Sequence, residues 1–136
     1  MEQAFTMKYT EQSLLKLKNA LEASWSNETS YHGAEEEGKP SLGQCLPTAL
    51  VVQHFFPEIL ILKGKVSNGA KTEEHYWNGT MKNNEIDHID LTWQQFPAGS
   101  TVQEFEIFNH SLLNKSSSAI RRYELLLSRV IGYLSR

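Results

Sequence analysis

Three residues of complementary chemistry follow one another along the chain: Cys45, then His75 thirty residues later, then Asp90 fifteen after that. A thiol, an imidazole and a carboxylate are the parts of nucleophilic catalysis, in which the base takes the proton of the nucleophile and the acid orients the base. Cys45 is the single cysteine, and it lies in Ser41-Leu42-Gly43-Gln44-Cys45-Leu46-Pro47-Thr48-Ala49-Leu50, where a glycine-containing loop runs into a predicted helix. A helix N-terminus presents N–H groups without intrahelical partners and the positive end of the macrodipole, and both favour a sulfur anion over a neutral thiol. Pro47 fits the first helical turn, where its missing N–H costs nothing. Free cysteine is also among the most buried residue types, so core filling is the competing reading of Cys45. Gly43, Gln44 and the apolar run Leu46, Ala49, Leu50, Val51 and Val52 favour the reactive one.

In that reading Cys45 is the nucleophile, His75 the base and Asp90 the group that holds one imidazole nitrogen. An ordinary thiol of pKa about 8.5 is only a few per cent ionised at neutral pH, and a neighbouring imidazolium reinforces the helix terminus in favouring the anion. Backbone N–H groups at the helix start, that of Cys45 included, would face a developing oxyanion. Gln44 would add a donor there only if its amide turns towards the site. Other histidines compete with His75. His32, His54, His88 and His110 are all available in principle, but His54 lies nine residues along the predicted helix and cannot easily reach the thiol, His32 falls in a loop, and His88 is the serious rival because it shares a predicted hairpin with Asp90. Asp87 rivals Asp90, since a one-residue slip in strand register would exchange them. Cys45, His75 and His88 lack the paired close spacings of a structural zinc site, so neither a metal nor another cofactor is expected.

The elements that must position these groups are readable from periodicity and punctuation. Thr10 followed by Glu11-Gln12-Ser13 predicts a helix start, with Leu14, Leu15, Leu17 and Leu21 repeating up to Trp25. Ser26 to Lys39, with Gly33, Gly38 and the run Glu35-Glu36-Glu37, reads as an exposed, mobile loop. The helix beginning near Cys45 stops at Phe55-Phe56-Pro57, and Glu58 to Val66 reads as a strand. Ser67-Asn68-Gly69-Ala70 is turn chemistry. His75-Tyr76-Trp77-Asn78, the turn Lys82-Asn83-Asn84 and the return strand Ile86 to Leu91 then predict an antiparallel hairpin. Period-two geometry puts His75 and Trp77 on one face, and Ile86, His88 and Asp90 on one face of the partner, so that His75 and Asp90 can meet. Gln94 to Ser118 is mixed, with a turn at Pro97-Ala98-Gly99-Ser100 and a helix start at Asn114 to Ser118. Ile120, Tyr123, Leu126, Leu127, Val130, Ile131 and Leu134 recur at helical spacing as a closing core helix. The outline α-β-β-β-α, with helices and antiparallel strands segregated, is α+β.

At 136 residues the chain is expected to be one domain, 1–136, and a net charge of −3 with interspersed signs gives no footprint for nucleic acid or an anionic membrane. One cysteine makes no internal disulfide, which excludes a disulfide-stapled scaffold and points to a cytoplasmic setting. The first residues lack the basic and apolar regions of a signal peptide, and no stretch has the length of a membrane span.

Gly43-Gln44-Cys45 before a helix, His75-Tyr76-Trp77 on a strand and Asp90-Leu91-Thr92 resemble the G-Q-C, H-x-W and D-x-T motifs of the transglutaminase-like core, in that order. More closely, the segments S-x-G-Q-C-x-x-T-A-L-V-V-Q, H-Y-W-N and D-L-T-x-x-Q-F are similar to those of the small bacterial YunG-like proteins, and the likeness extends to Arg122-Tyr123-Glu124-Leu125-Leu126. The transglutaminase-like resemblance implies a papain-like α+β arrangement, in which the helix carrying Cys45 packs on an antiparallel sheet flanked by N- and C-terminal helices. It also implies acyl transfer from an amide or thioester, with Cys45 as nucleophile, His75 as base and Asp90 as orienting acid. Leu46 stands where an aromatic residue often follows the cysteine, and the chain is shorter than the enzymes' core.

The leading expectation is thus a Cys-His-Asp enzyme acting on a peptide, protein or small amide through a thioacyl intermediate, with Gln44 and Trp77 as candidate oxyanion or substrate contacts. The alternative is a non-catalytic peptide- or protein-binding module with a cleft walled by Trp77, Trp93 and Phe96. A thiol sensor of oxidants would need the same thiolate without the ordered His-Asp partner.

Overall fold

The computed structural model describes residues 7–30, 43–109 and 117–136. Along the chain run α1 (Glu11–Ser24), α2 (Cys45–Phe55), β1 (Leu60–Ser67), β2 (Thr72–Lys82), β3 (Glu85–Ile89), a short 3-10 turn (Trp93–Gln95), β4 (Thr101–Ile107) and α3 (Ser117–Leu134). The strands make one antiparallel sheet in the order β3-β2-β1-β4. The class is α+β, as the sequence implies.

Thr10 caps α1 reciprocally: its Oγ1 accepts from the Ser13 N–H at 2.9 Å, and its own N–H donates to Ser13 Oγ at 2.9 Å. Leu17, Ala20 and Leu21 are buried against Val51, Val52 and Phe55 of α2 and Leu126 and Val130 of α3. Leu15 does not join this face. It is 56% exposed, because its neighbours Leu14 and Leu17 already bracket the buried stripe. The other side of α2 meets the sheet, where Ala49 and Leu50 pack with Ile61 and draw in Leu46, Tyr76 and Phe108. Helix α2 ends where the aromatic pair and proline predict, with Phe56 as its C-cap.

The β2–β3 hairpin turns on Asn83 and Asn84, both at positive φ (51° and 65°), the conformation of a two-residue primed turn that asparagine tolerates well. Its register sets Asn78 opposite Ile89 and Lys82 opposite Glu85, so Asp90 falls just past the end of β3. Strand β2 is longer than the aromatic segment alone predicts, running from Thr72 to Lys82.

Two expectations need correction. Gln94 to Ser118 holds a strand, β4, that the sequence conceals, since its apolar residues Val102, Phe105 and Ile107 do not keep a period of two. The ladder with β1 slips between Lys65 and Val66, pairing Lys65 with Glu104 and Val66 with Val102, and Gln103 is the extra residue of a bulge. Within the supposed exposed loop, Asn27 and Glu28 are exposed but Thr29 and Ser30 are buried, at 0% and 3% exposure. Thr29 reads as loop, but its hydroxyl is hydrogen-bonded inside the protein, to Gln44 Oε1 and the Ser26 carbonyl. Residues 31–42 and 110–116, and with them His32, the acidic run, Ser41, His110 and the expected helix start at Asn114, lie outside the described residues. No helix among the described residues is long and apolar enough to cross a membrane.

Candidate active site

The chain turns into α2 at Gly43, whose φ of 75° is a left-handed conformation that a side chain would strain. Gln44 is the N-cap and Cys45 the first helical residue, with Pro47 in the first turn. The first intrahelical donor is Thr48, which bonds the Gln44 carbonyl at 3.0 Å. The N–H groups of Cys45 and Leu46 therefore point out of the helix end. Cys45 itself is half-buried.

Gln44 does not turn its carboxamide outward. Nε2 donates to the Ser26 carbonyl at 2.9 Å and Oε1 accepts from Thr29 Oγ1 at 2.7 Å, in a setting that leaves Gln44 1% exposed. The Ser26–Ser30 turn is held from two further directions. Trp25 Nε1 donates to Thr48 Oγ1 of α2 at 2.9 Å, and the Arg129 guanidinium of α3 reaches Ser26 Oγ at 2.7 Å, the Ser24 carbonyl at 3.2 Å and the Glu28 carboxylate. Buried polar groups must be paired in this way or cost the full desolvation penalty. The start of α2 is thus fixed by side chains from α1, the turn and α3.

His75 is fully buried, and its Nε2 lies 2.7 Å from Asp90 Oδ2. The ring sits among aromatic groups: Trp77 stacks with it at 5.4 Å between centroids and 17° between planes, Phe96 meets it edge-on at 4.7 Å, and Trp93 stands at 6.2 Å. The other oxygen of Asp90, Oδ1, accepts from the Thr92 N–H at 3.1 Å and from Thr92 Oγ1 at 3.2 Å. Thr92 is itself 1% exposed, and its carbonyl accepts from Gln95 Nε2 at 3.0 Å. An aspartate clamped two residues on, at the start of a 3-10 turn, presents a single oxygen to the imidazole in one direction.

Burial opposes a charge on this ring. The hydrogen bond to Asp90, the interaction with Cys45 and the charges of both outweigh it, and the His75 pKa rises from 6.5 to about 9. With Nε2 taken by Asp90, Nδ1 is the nitrogen left for the thiol. It is buried and makes no hydrogen bond of ordinary geometry, while Cys45 contributes to the raised pKa of the ring.

The rivals are placed elsewhere. His88 accepts at Nδ1 from Trp77 Nε1 at 2.8 Å, and Asp87 pairs opposite Thr80 on an exposed stretch of β3. Trp77 is 3% exposed and supports the ring of His75 from one face. Sequence reasoning quoted Thr48, Asn78 and Thr92 inside motifs but gave them no role. Their signal was their position three residues after the cysteine, three after the histidine and two after the aspartate. Thr29 and Arg129 carried no local signal. Among the described residues, no group of three or more His, Cys, Asp and Glu side chains is arranged to hold a metal ion.

Neither a curated protein nor a solved structure matches the chain. The family profile described as YunG protein matches residues 13–135, a span that contains Cys45, His75, Asp90 and the segments that hold them. The chain belongs to the YunG protein family.

Proposed function

We propose that the protein is a cysteine acyl-transfer enzyme with a papain-like, transglutaminase-like core. The observation that carries the reading is the line from Asp90 through a buried, charge-stabilised His75 to a half-buried thiol at a helix N-terminus. The Cys45 sulfur attacks the carbonyl carbon of an amide or thioester, and the electron pair of the carbonyl moves to its oxygen, towards the N–H groups of Cys45 and Leu46. His75, already an imidazolium at neutral pH, delivers its Nδ1 proton to the departing amine or thiol as the carbon–nitrogen or carbon–sulfur bond breaks. The neutral ring then takes a proton from water or an acceptor amine, which resolves the thioacyl intermediate. Asp90 keeps the ring oriented and charged, and the aromatic groups around it exclude water from the ion pair. Gln44, committed to Ser26 and Thr29, serves as a strut for the helix start, so oxyanion stabilisation falls to the backbone.

The test is alkylation of Cys45 by iodoacetamide between pH 4 and 10, followed by intact mass, in the parent and in His75→Ala. At neutral pH the parent is expected to be alkylated faster than the variant, because the imidazolium of His75 favours the sulfur anion. Identical profiles would overturn the catalytic reading and favour a binding module with a structural cysteine. A thioester probe that leaves an acyl adduct on Cys45 of the parent would then identify the chemistry.

A further inference from the structure

Asn78 is 2% exposed in the middle of β2, three residues beyond His75. Its Nδ2 donates to the Ala49 carbonyl of α2 at 3.1 Å and to the Leu60 carbonyl of β1 at 3.2 Å. Ala49 is one helical turn from Cys45. Around this link Leu46, Ala49 and Leu50 pack with Ile61, Tyr76 and Phe108 through apolar contact. Apolar packing is non-directional and resists sliding weakly, whereas a hydrogen bond specifies both distance and direction. A second polar link, Gln53 Nε2 to the Ile59 carbonyl at 2.9 Å, lies at the far end of the helix, eight residues from the thiol.

We propose that Asn78 is a positioning residue for the thiol and its base: its amide fixes where the helix of the nucleophile stands relative to the strand that carries His75. The inference rests on the reading of Cys45 and His75 as a reacting pair. The requirement is chemical as well as steric. Two carbonyl oxygens converge on one nitrogen, so an aspartate of the same shape would set a carboxylate against two acceptors and a leucine would supply no donor. A looser helix start would leave the Asp90–His75 hydrogen bond intact and degrade the thiol–imidazole contact alone.

The experiment compares alkylation of Cys45 at pH 7 in the full chain, as the ratio of rates with and without His75→Ala, in three backgrounds: parent, Asn78→Leu and Val130→Ala. Val130→Ala is a core truncation in α3 that loosens the protein without touching the link. Asn78→Leu is expected to shrink the ratio by about tenfold, since small misplacements of reacting groups have effects of that order or more, while Val130→Ala leaves it unchanged. The His75 titration midpoint in Asn78→Leu should stay well above 6.5, because Asp90 still holds the ring. Should Asn78→Leu fail to fold, Asn78→Ala, which removes the donor without a bulky replacement, is read the same way. A parent ratio retained in the Asn78 variant, or lost equally in Val130→Ala, overturns the proposal alone. A parent rate indifferent to His75 removes the underlying reading, and the positioning role with it.

Discussion

Asp90→Asn is the substitution that most directly interrogates the site. Asparagine keeps the size of the side chain, and its oxygen can still accept from His75 Nε2, but the negative charge is gone. The wild-type ring rises from 6.5 to about 9, a preference for the charged form of about 3 kcal/mol at 1.36 kcal/mol per unit. Burial is the largest single influence and acts downward, so the charge and hydrogen bond of Asp90, helped by those of Cys45, hold the ring protonated against it. Without the charge, the midpoint should fall by more than about one unit, towards or below the ordinary value of about 6.5. Histidine labelled at Cε1 gives a resolvable resonance for each of the five histidines, and His75 is assigned by its loss in His75→Gln. The same shift has a signature in stability. Because the folded pKa lies above the unfolded one, the stabilisation from His75 is complete below pH 6.5, declines as pH rises and is lost once pH passes about 9. The unfolding free energy of the parent from urea titrations should therefore fall across this window, by up to about 3 kcal/mol from this group, and the Asp90→Asn profile should be much flatter. A wild-type midpoint near 6.5, or one that Asp90→Asn leaves in place, would refute the reasoning.

Two further substitutions separate structural from chemical roles. Gln44→Leu removes a strut and its two buried hydrogen bonds, to Thr29 Oγ1 and the Ser26 carbonyl, so it should lower urea stability by about 1–3 kcal/mol; unchanged stability with a loss of thioester turnover would instead make Gln44 an oxyanion donor. Gly64→Ala places a Cβ 2.2 Å from the Glu104 carbonyl oxygen and 2.8 Å from both Phe105 Cβ and Trp77 Cη2, so the sheet must shift beside His75. A loss of about 1–3 kcal/mol by urea denaturation is expected, and undiminished stability would show that β4 and Trp77 are free to yield.

Much of the site is legible in the sequence because its parts are punctuated locally. Gly43 and Pro47 bracket the start of α2, paired asparagines mark the hairpin turn, and strand alternation then brings His75 to Asp90. The choice between Asp90 and Asp87 was not legible, since it depends on a register that the turn sets and that one residue of slip would reverse. Gln44 misled for a different reason. An amide beside a candidate nucleophile suggests chemistry, but its partners Ser26 and Thr29 are distant in sequence, and hydroxyl residues in a polar run resemble a loop. Strand β4 was hidden by its own bulge, which breaks the alternation by which strands are read. In each case the missing information was a long-range pairing of polar groups rather than a failure of local propensity.

The bulge in β4 also bears on what a second copy of the chain would meet at this edge of the sheet. Among the described residues β4 has a sheet neighbour on one side only, and Phe105 and Ile107 stand 41% and 55% exposed along it. A flat edge with such side chains would template pairing with a second copy. Here the extra residue at Gln103 twists the edge, and Glu104 and Glu106 alternate with the apolar groups, so an incoming identical strand would meet both a broken ladder and like charge. At this edge an irregularity of the backbone and two carboxylates stand together against sheet-to-sheet growth.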